Sequence, residues 1–299
     1  MNKILIICGP TASSKTALAV KCAKLLNTEV ISAESMNVYK GLDVGTAKPT
    51  MDERLGIVHH LIDVVEPTKT FSVGDYKDLA LPIVYNLLEN KKIPIVCGGT
   101  GFYINSLLYD LSYGNSTSNL PVRDKYFKLA EENGNDFVYS ILMQKDPETA
   151  QKLHKNDLKR VVRALEIFES GIKKSDIIDD LTPRFDYDAY SIDYPTDILY
   201  DRINKRVDIM FENGLVDEVK RLIDSGISKD VQCMQGIGYK EIIPYLNGET
   251  SLEEALNLIK LNTRHYAKRQ KTFFRKLPNL NYLQPNDLDL LAKRIIDKL

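Results

Sequence analysis

Ile4-Leu5-Ile6-Ile7-Cys8-Gly9-Pro10-Thr11-Ala12-Ser13-Ser14-Lys15-Thr16-Ala17-Leu18-Ala19-Val20-Lys21-Cys22-Ala23 is the stretch that decides the fold. Its first five residues are an apolar run of strand length, and its last seven have helical character. Between them, Gly9 to Thr16 make a turn in which backbone N–H groups can converge on an anion at the positive end of the following helix. In such a loop Lys15 reaches terminal phosphates and the Thr16 hydroxyl ligates a magnesium ion. One position departs from the pattern. Ser14 stands where these loops carry the glycine that lets the backbone turn tightly against the phosphate.

Beyond this turn, β-prone runs alternate with helical ones. Thr28 to Ser32 reads as a strand, followed by the polar group Glu34-Ser35-Met36-Asn37. His59 to Val65 reads as another strand. Phe71 to Glu89 reads as a helix with Ser72 as N-cap and Asp75 completing the cap, kinked by Pro82. Ile93 to Cys97 is a continuous apolar strand of the kind buried on both faces of a parallel sheet. A second glycine-rich turn, Gly98-Gly99-Thr100-Gly101, opens the helix from Phe102 to Tyr109. This alternation predicts a doubly wound α/β core with ligand groups at the carboxyl ends of its strands. Glu34, Ser35 and Thr100 then share a rim with the phosphate loop.

The composition shifts to Ser, Asn and Gly around 112–118, and from Pro121 to about Gly171 the periodicity is purely helical. β character resumes at Asp188 to Asp193. We therefore expect a core of residues 1–114 and 188–299 interrupted by a helical insertion, 115–187. Two further helical runs lie between Leu199 and Gly226, broken at Gly214. Tyr282 to Gln284 reads as a last edge strand, and the remainder as a terminal helix.

The chain has 299 residues and a net charge of −1, so no global field steers it to a polyanion. Any such contact must be local. Residues 260–276 contain seven Lys or Arg and no acid, and Arg160 and Arg163 lie on one helix face, so both stretches read as footprints for phosphate. The four cysteines form no Cys-x-x-Cys pair and read as buried reduced thiols. No secretory leader and no apolar run of membrane-spanning length is evident, which predicts a cytoplasmic protein.

Taken together, the motifs resemble those of the bacterial tRNA dimethylallyltransferases, also known as tRNA isopentenyltransferases. The resemblance rests on residues 9–16, on Glu34-Ser35 with Tyr39 and Asp43 to Pro49, and on Gly98 to Tyr103. It continues through His154, Asn156, Asp157, Arg160 and Arg163 to Glu166, then Arg206 to Asp208, Gly214-Leu215, Glu218-Val219, Gly238 to Glu241 and Tyr266 to Gln270. Glu34 replaces the family's Asp and is one methylene longer.

The resemblance implies a P-loop NTPase-like core with an all-helical tRNA-binding insertion. It implies transfer of a dimethylallyl group from dimethylallyl diphosphate to N6 of the adenosine 3′ to the anticodon, by a monomer using Mg²⁺. Gly9, Pro10, Thr11, Ala12, Ser13, Ser14, Lys15 and Thr16 would hold the diphosphate, with Thr16 on the metal. Glu34 would take the amine proton and Arg206 would supply a second cation. Glu34, Ser35, Met36, Asn37, Thr100, Arg123, Lys159, Arg160, Arg163, Gly238, Tyr239 and Lys240 would contact the tRNA anticodon stem-loop. Three alternatives stay open: a tRNA-binding relative whose site is impaired at Ser14 and Glu34, a P-loop kinase, and prenylation of free adenine nucleotides. The kinase is disfavoured because no aspartate clearly follows an apolar strand as a second magnesium ligand.

Overall fold

A computed structural model describes residues 2–112 and 119–299. Six strands, β1 (Lys3–Cys8), β2 (Val30–Ser32), β3 (His59–His60), β4 (Ile95–Gly98), β5 (Asp186–Ile192) and β6 (Leu280–Leu283), form one sheet. Their order is β3-β2-β4-β1-β5-β6, and every pairing is parallel. The helices are α1 (Lys15–Leu26), α2 (Met51–Arg54), α3 (Val73–Glu89), α4 (Gly101–Leu108), α5 (Leu120–Asn133), α6 (Asn135–Lys145) and α7 (Pro147–Gln151). They continue with α8 (Leu158–Glu169), α9 (Thr196–Glu212), α10 (Leu215–Asp224), α11 (Ile242–Leu246), α12 (Leu252–Phe274) and α13 (Leu288–Ile296). The fold is α/β, a parallel sheet flanked by helices.

Strand β1 is central because its sequence suits burial on both faces. Ile4 to Cys8 are all sealed from solvent, and the strand pairs with β4 on one side and β5 on the other. Leu5 and Ile7 meet Leu18, Ala19 and Cys22 of α1 and Leu291 and Ile295 of α13 in one apolar cluster. The carboxyl ends of β1, β2, β4 and β5 therefore open on one rim, where parallel sheets present ligand groups.

The chain forms two compact units, Met1–Leu108 with Pro183–Leu299, and Tyr109–Thr182. The first holds the sheet. The second is helical, with a core of Tyr126, Val138, Leu142, Val161, Val162 and Leu165 from α5, α6 and α8. The Ser/Asn/Gly stretch that marks the expected junction lies mostly at 113–118, outside the described residues.

Several elements differ from their sequence reading. The strand expected over 59–65 stops at His60, because Leu61 and Asp63 take positive φ (62° and 57°) and turn the chain out of the ladder; only an isolated Tyr39–Val65 bridge follows. Helix α3, by contrast, has the expected end, running through Pro82 to Glu89. At its start Ser72 and Asp75 exchange side-chain and backbone bonds as a full capping box. The last strand begins at Leu280 and lies at the sheet edge beside β5.

Candidate active site

Gly9 to Ser14 leave β1 and wrap the start of α1. The close turn comes at a cost at Ser14, whose φ of 62° and ψ of 18° lie in the left-handed region. Its hydroxyl accepts from Arg202 Nη2 at 2.7 Å, and Arg202 Nε donates to Ala12 O at 2.8 Å. Arg202 itself lies 4.6 Å over the Tyr194 ring. A residue on α9 thus holds the loop in the shape a glycine would adopt unaided. Ser13 Oγ is buried and has no hydrogen-bond partner among the described residues. An unpaired hydroxyl inside a loop at a helix N-terminus is a donor suited to a phosphate oxygen.

Lys15 is buried, and its Nζ meets Glu34 Oε1 at 2.9 Å and Pro10 O at 3.4 Å. The extra methylene of Glu34 carries its carboxylate to that lysine. Next to it, Ser35 N–H donates to Thr100 Oγ1 at 3.0 Å, and Thr100 N–H donates to Ala33 O at 3.0 Å. Those bonds join the ends of β2 and β4. They need glycine at 98, where a Cβ would fall 2.1 Å from Ala33 O. Phosphate loop, carboxylate and threonine therefore meet on one rim.

Arg206, one helical turn beyond Arg202, donates to Ala47 O at 3.3 Å. Burial lowers its pKa, and the negative charges of Glu34 and Glu53 oppose that shift. The Ala47 loop is fixed from beneath by Glu218. Its carboxylate accepts the N–H groups of Asp43, Val44 and Gly45 at 2.8–3.0 Å and the Tyr239 hydroxyl at 2.6 Å. Lys48, also buried, bonds Asp43 and Tyr39 O of that loop and Asp63 from the turn after β3. The Cys97 thiol has its pKa pushed up to about 12, chiefly by burial. Among the described residues no group of three or more His, Cys, Asp or Glu is placed to hold a metal ion. A cleft of about 160 Å³ flanks the loop, lined by Gly9, Pro10, Ser191, Lys271, Arg275 and Tyr282.

The structure redistributes some residues expected at an RNA surface. Tyr239 is wholly buried, with its hydroxyl engaged by Glu218, and Gly238 is buried too; of that triplet only Lys240 is exposed. Asn37 is buried, while Met36 is partly covered. Arg123 and Arg163 both bind the buried Glu166 carboxylate, which also accepts Asn119 N–H. Arg123 and the Asn119 N–H thereby brace α5 against α8, while Arg163 completes the pairing from α8 itself, because a carboxylate sealed in a helical core requires paired donors. Lys159 and Arg160 remain exposed, with Arg160 near Asp157. The acid-free stretch 260–276 also finds its counter-charges elsewhere in the chain. Lys260 pairs with Asp208 and Lys271 with Asp193, while Arg264 bonds Asn204.

Gln270 had no assigned role in the sequence reading, yet its carboxamide joins the two ligand loops. It accepts from Thr11 N–H at 2.9 Å and donates to Gly99 O at 3.0 Å. Helical spacing could place it on the buried side of α12, but its partners were not visible.

Residues 37–277 match the IPP transferase family model. The chain belongs to the IPP transferase family. Its relatives include the tRNA dimethylallyltransferases of Acetivibrio thermocellus, 46% identical over 97% of this chain and 94% of the relative, and of Alkaliphilus oremlandii, 47% identical over 96% and 93%. Among solved structures, the Bacillus halodurans tRNA isopentenylpyrophosphate transferase superposes with a TM-score of 0.75 at 39% identity, covering 100% of this chain and 97% of that one. A eukaryotic dimethylallyltransferase acting on tRNA gives a TM-score of 0.81 at 29% identity, covering 100% and 77%. These IPP transferase relatives span both units of the chain. No helix among the described residues is long and apolar enough to cross a membrane.

Proposed function

We propose that this IPP transferase moves a dimethylallyl group from dimethylallyl diphosphate to N6 of the adenosine 3′ to the anticodon of tRNA. The observation that carries the reading is the Lys15–Glu34 contact of 2.9 Å on the rim shared with the phosphate loop. It puts a cation suited to a departing diphosphate beside a carboxylate suited to an amine proton. In the transfer the allylic C1–O bond breaks and its electron pair leaves with the diphosphate. The N6 lone pair forms the new bond to C1, and the N6 proton passes to Glu34. Lys15, the loop N–H groups, the Ser13 hydroxyl and Arg206 neutralise charge as it develops on the leaving group.

Thr16 is the residue whose hydroxyl would hold Mg²⁺, an ion commonly bound with few protein ligands. When bound, it adds Lewis-acid stabilisation of the leaving group. Thr100 and Ser35 flank the entry of the adenine, which must leave the anticodon-loop stack. Lys159, Arg160 and Lys240 are the exposed cations of the expected tRNA-contact set, while Arg123, Arg163 and Tyr239 support them from within. The protein acts as a monomer in the cytoplasm, a compartment in keeping with four free, buried cysteines.

The test incubates purified protein with Mg²⁺, dimethylallyl diphosphate and an anticodon stem-loop carrying adenosines 3′ of the anticodon. Mass spectrometry of the RNA is expected to show one added five-carbon unit, absent with Lys15→Ala. RNA binding without any mass gain would replace this reading with that of a tRNA-binding relative impaired at Ser14 and Glu34.

A further inference from the structure

We propose that Gln270 is a positioning residue that sets the separation between the diphosphate loop and the turn carrying Thr100, an inference that rests on the prenyl-transfer reading above. Gln270 is 4% exposed, and its carboxamide is bonded at both ends to backbone. Oε1 accepts from Thr11 N–H, and Nε2 donates to Gly99 O. Those partners lie just beyond β1 and β4, adjacent strands of the sheet. One side chain of α12 thus spans the two loops that would hold the two substrates.

The seating of α12 on the second loop is close and extends over a helical turn. A Cβ at Gly99 would lie 2.1 Å from Gln270 Nε2, and one at Gly101 would lie 2.1 Å from the Phe273 ring. The glycines at 99 and 101 admit the helix. From the same turn Thr100 Oγ1 accepts Ser35 N–H, beside Glu34. A continuous series of bonds therefore runs from Thr11, on the leaving-group side, through Gln270, Gly99 and Thr100 to Ser35, on the base side.

A transfer between two bound substrates needs their reacting atoms within roughly 3–3.5 Å, and a displacement near 1 Å can cost on the order of 100-fold in rate. Binding either substrate alone makes no such demand. Gln270 touches neither substrate-facing side chain directly except through backbone, so its loss should separate the two properties. Transfer falls while each loop still binds its ligand. A carboxamide also suits the task because it offers one acceptor and one donor in a fixed plane. A glutamate keeps the acceptor for Thr11 and loses the donor for Gly99 O. A methionine loses both.

The experiment compares full-length wild type, Gln270→Met and Gln270→Glu in single-turnover transfer with saturating dimethylallyl diphosphate, Mg²⁺ and anticodon stem-loop. Dissociation constants for inorganic diphosphate and for the stem-loop are measured in parallel, together with the melting temperature. Both variants are expected to lose on the order of 10- to 100-fold in transfer rate, with each dissociation constant within about threefold of wild type, a spread equivalent to under 1 kcal/mol. If Gln270→Met does not fold, Gln270→Glu, of the same shape, decides the matter by the same comparison. A folded variant that transfers at the wild-type rate, or that loses affinity for either ligand in proportion to its rate, overturns the proposal. An inactive wild type overturns instead the reading on which it rests.

Discussion

Ser14 holds a left-handed backbone that a glycine would adopt freely, and its hydroxyl is tied to Arg202. Ser14→Ala keeps the conformational cost and loses the bond; Ser14→Gly loses the bond but also the cost. The glycine variant should therefore be the more stable of the two by about 1–2 kcal/mol, read from denaturant unfolding. Equal stabilities would show that the backbone at Ser14 is not strained. At the reacting centre, Glu34→Asp withdraws the carboxylate by about one C–C bond, ~1.5 Å, and breaks the contact with Lys15. The expected outcome is a changed single-turnover rate with unchanged affinity for the stem-loop, measured by quench and by binding titration. Lys15, Thr16, Glu34 and Thr100 were legible as site candidates because a strand followed by a polar or glycine-rich turn is a local pattern. Arg202 and Gln270 were not, since their roles depend on backbone atoms 190 and 259 positions away.

Within single elements, buried carboxylates do the fastening. Glu166 on α8 is sealed, and burial alone would raise its pKa; the bonds from Arg163, Asn119 N–H and Arg123 outweigh that and hold it below the usual carboxylate range. A depressed folded value contributes stability that is fully present above the unfolded value of about 4.3 and is lost as pH falls through the folded one. The helical unit should accordingly lose stability on acidification through and below pH ~4, followed by circular dichroism. Glu166→Ala should destabilise it by about 3–5 kcal/mol at neutral pH by leaving two guanidinium groups without their anion. The resemblance names Arg123 and Arg163 as RNA contacts, and Arg163 also falls on a basic helix face, but no residue pattern shows that the acid they share, Glu166, is interior. Glu218 plays the comparable part under the 43–45 turn. Its carboxamide analogue, in Glu218→Gln, has one acceptor oxygen for four donors. It should lower transfer by loosening the Ala47 carbonyl that Arg206 holds, with Tyr239→Phe a milder version of the same loss.

Across the whole molecule, the order of the sheet was the part least visible in the sequence. Alternating periodicity announces strands and helices, but the placement of β5 and β6 beside β1 follows only from long-range pairing. The helical unit leaves and rejoins the sheet-bearing unit at one place, since Leu108 O accepts Arg184 N–H at 2.6 Å. A chain in which residues 110–182 are replaced by a short glycine linker should therefore fold as the sheet unit, with cooperative melting and retained binding of inorganic diphosphate. Loss of cooperative unfolding would show that the sheet needs the insertion.

The pairing of β1 with β5 also has a consequence for synthesis. One edge of the first strand waits for a partner that begins at Asp186. At translation rates of about 5–20 residues per second, that edge stays open for roughly 10 to 35 seconds in every nascent chain. Apolar, flat and unpaired, it is the kind of strand that recruits strangers. Growth conditions that slow the ribosome over 110–185 should therefore raise the share of newly made chains found in aggregates, although the finished molecule would show no such tendency.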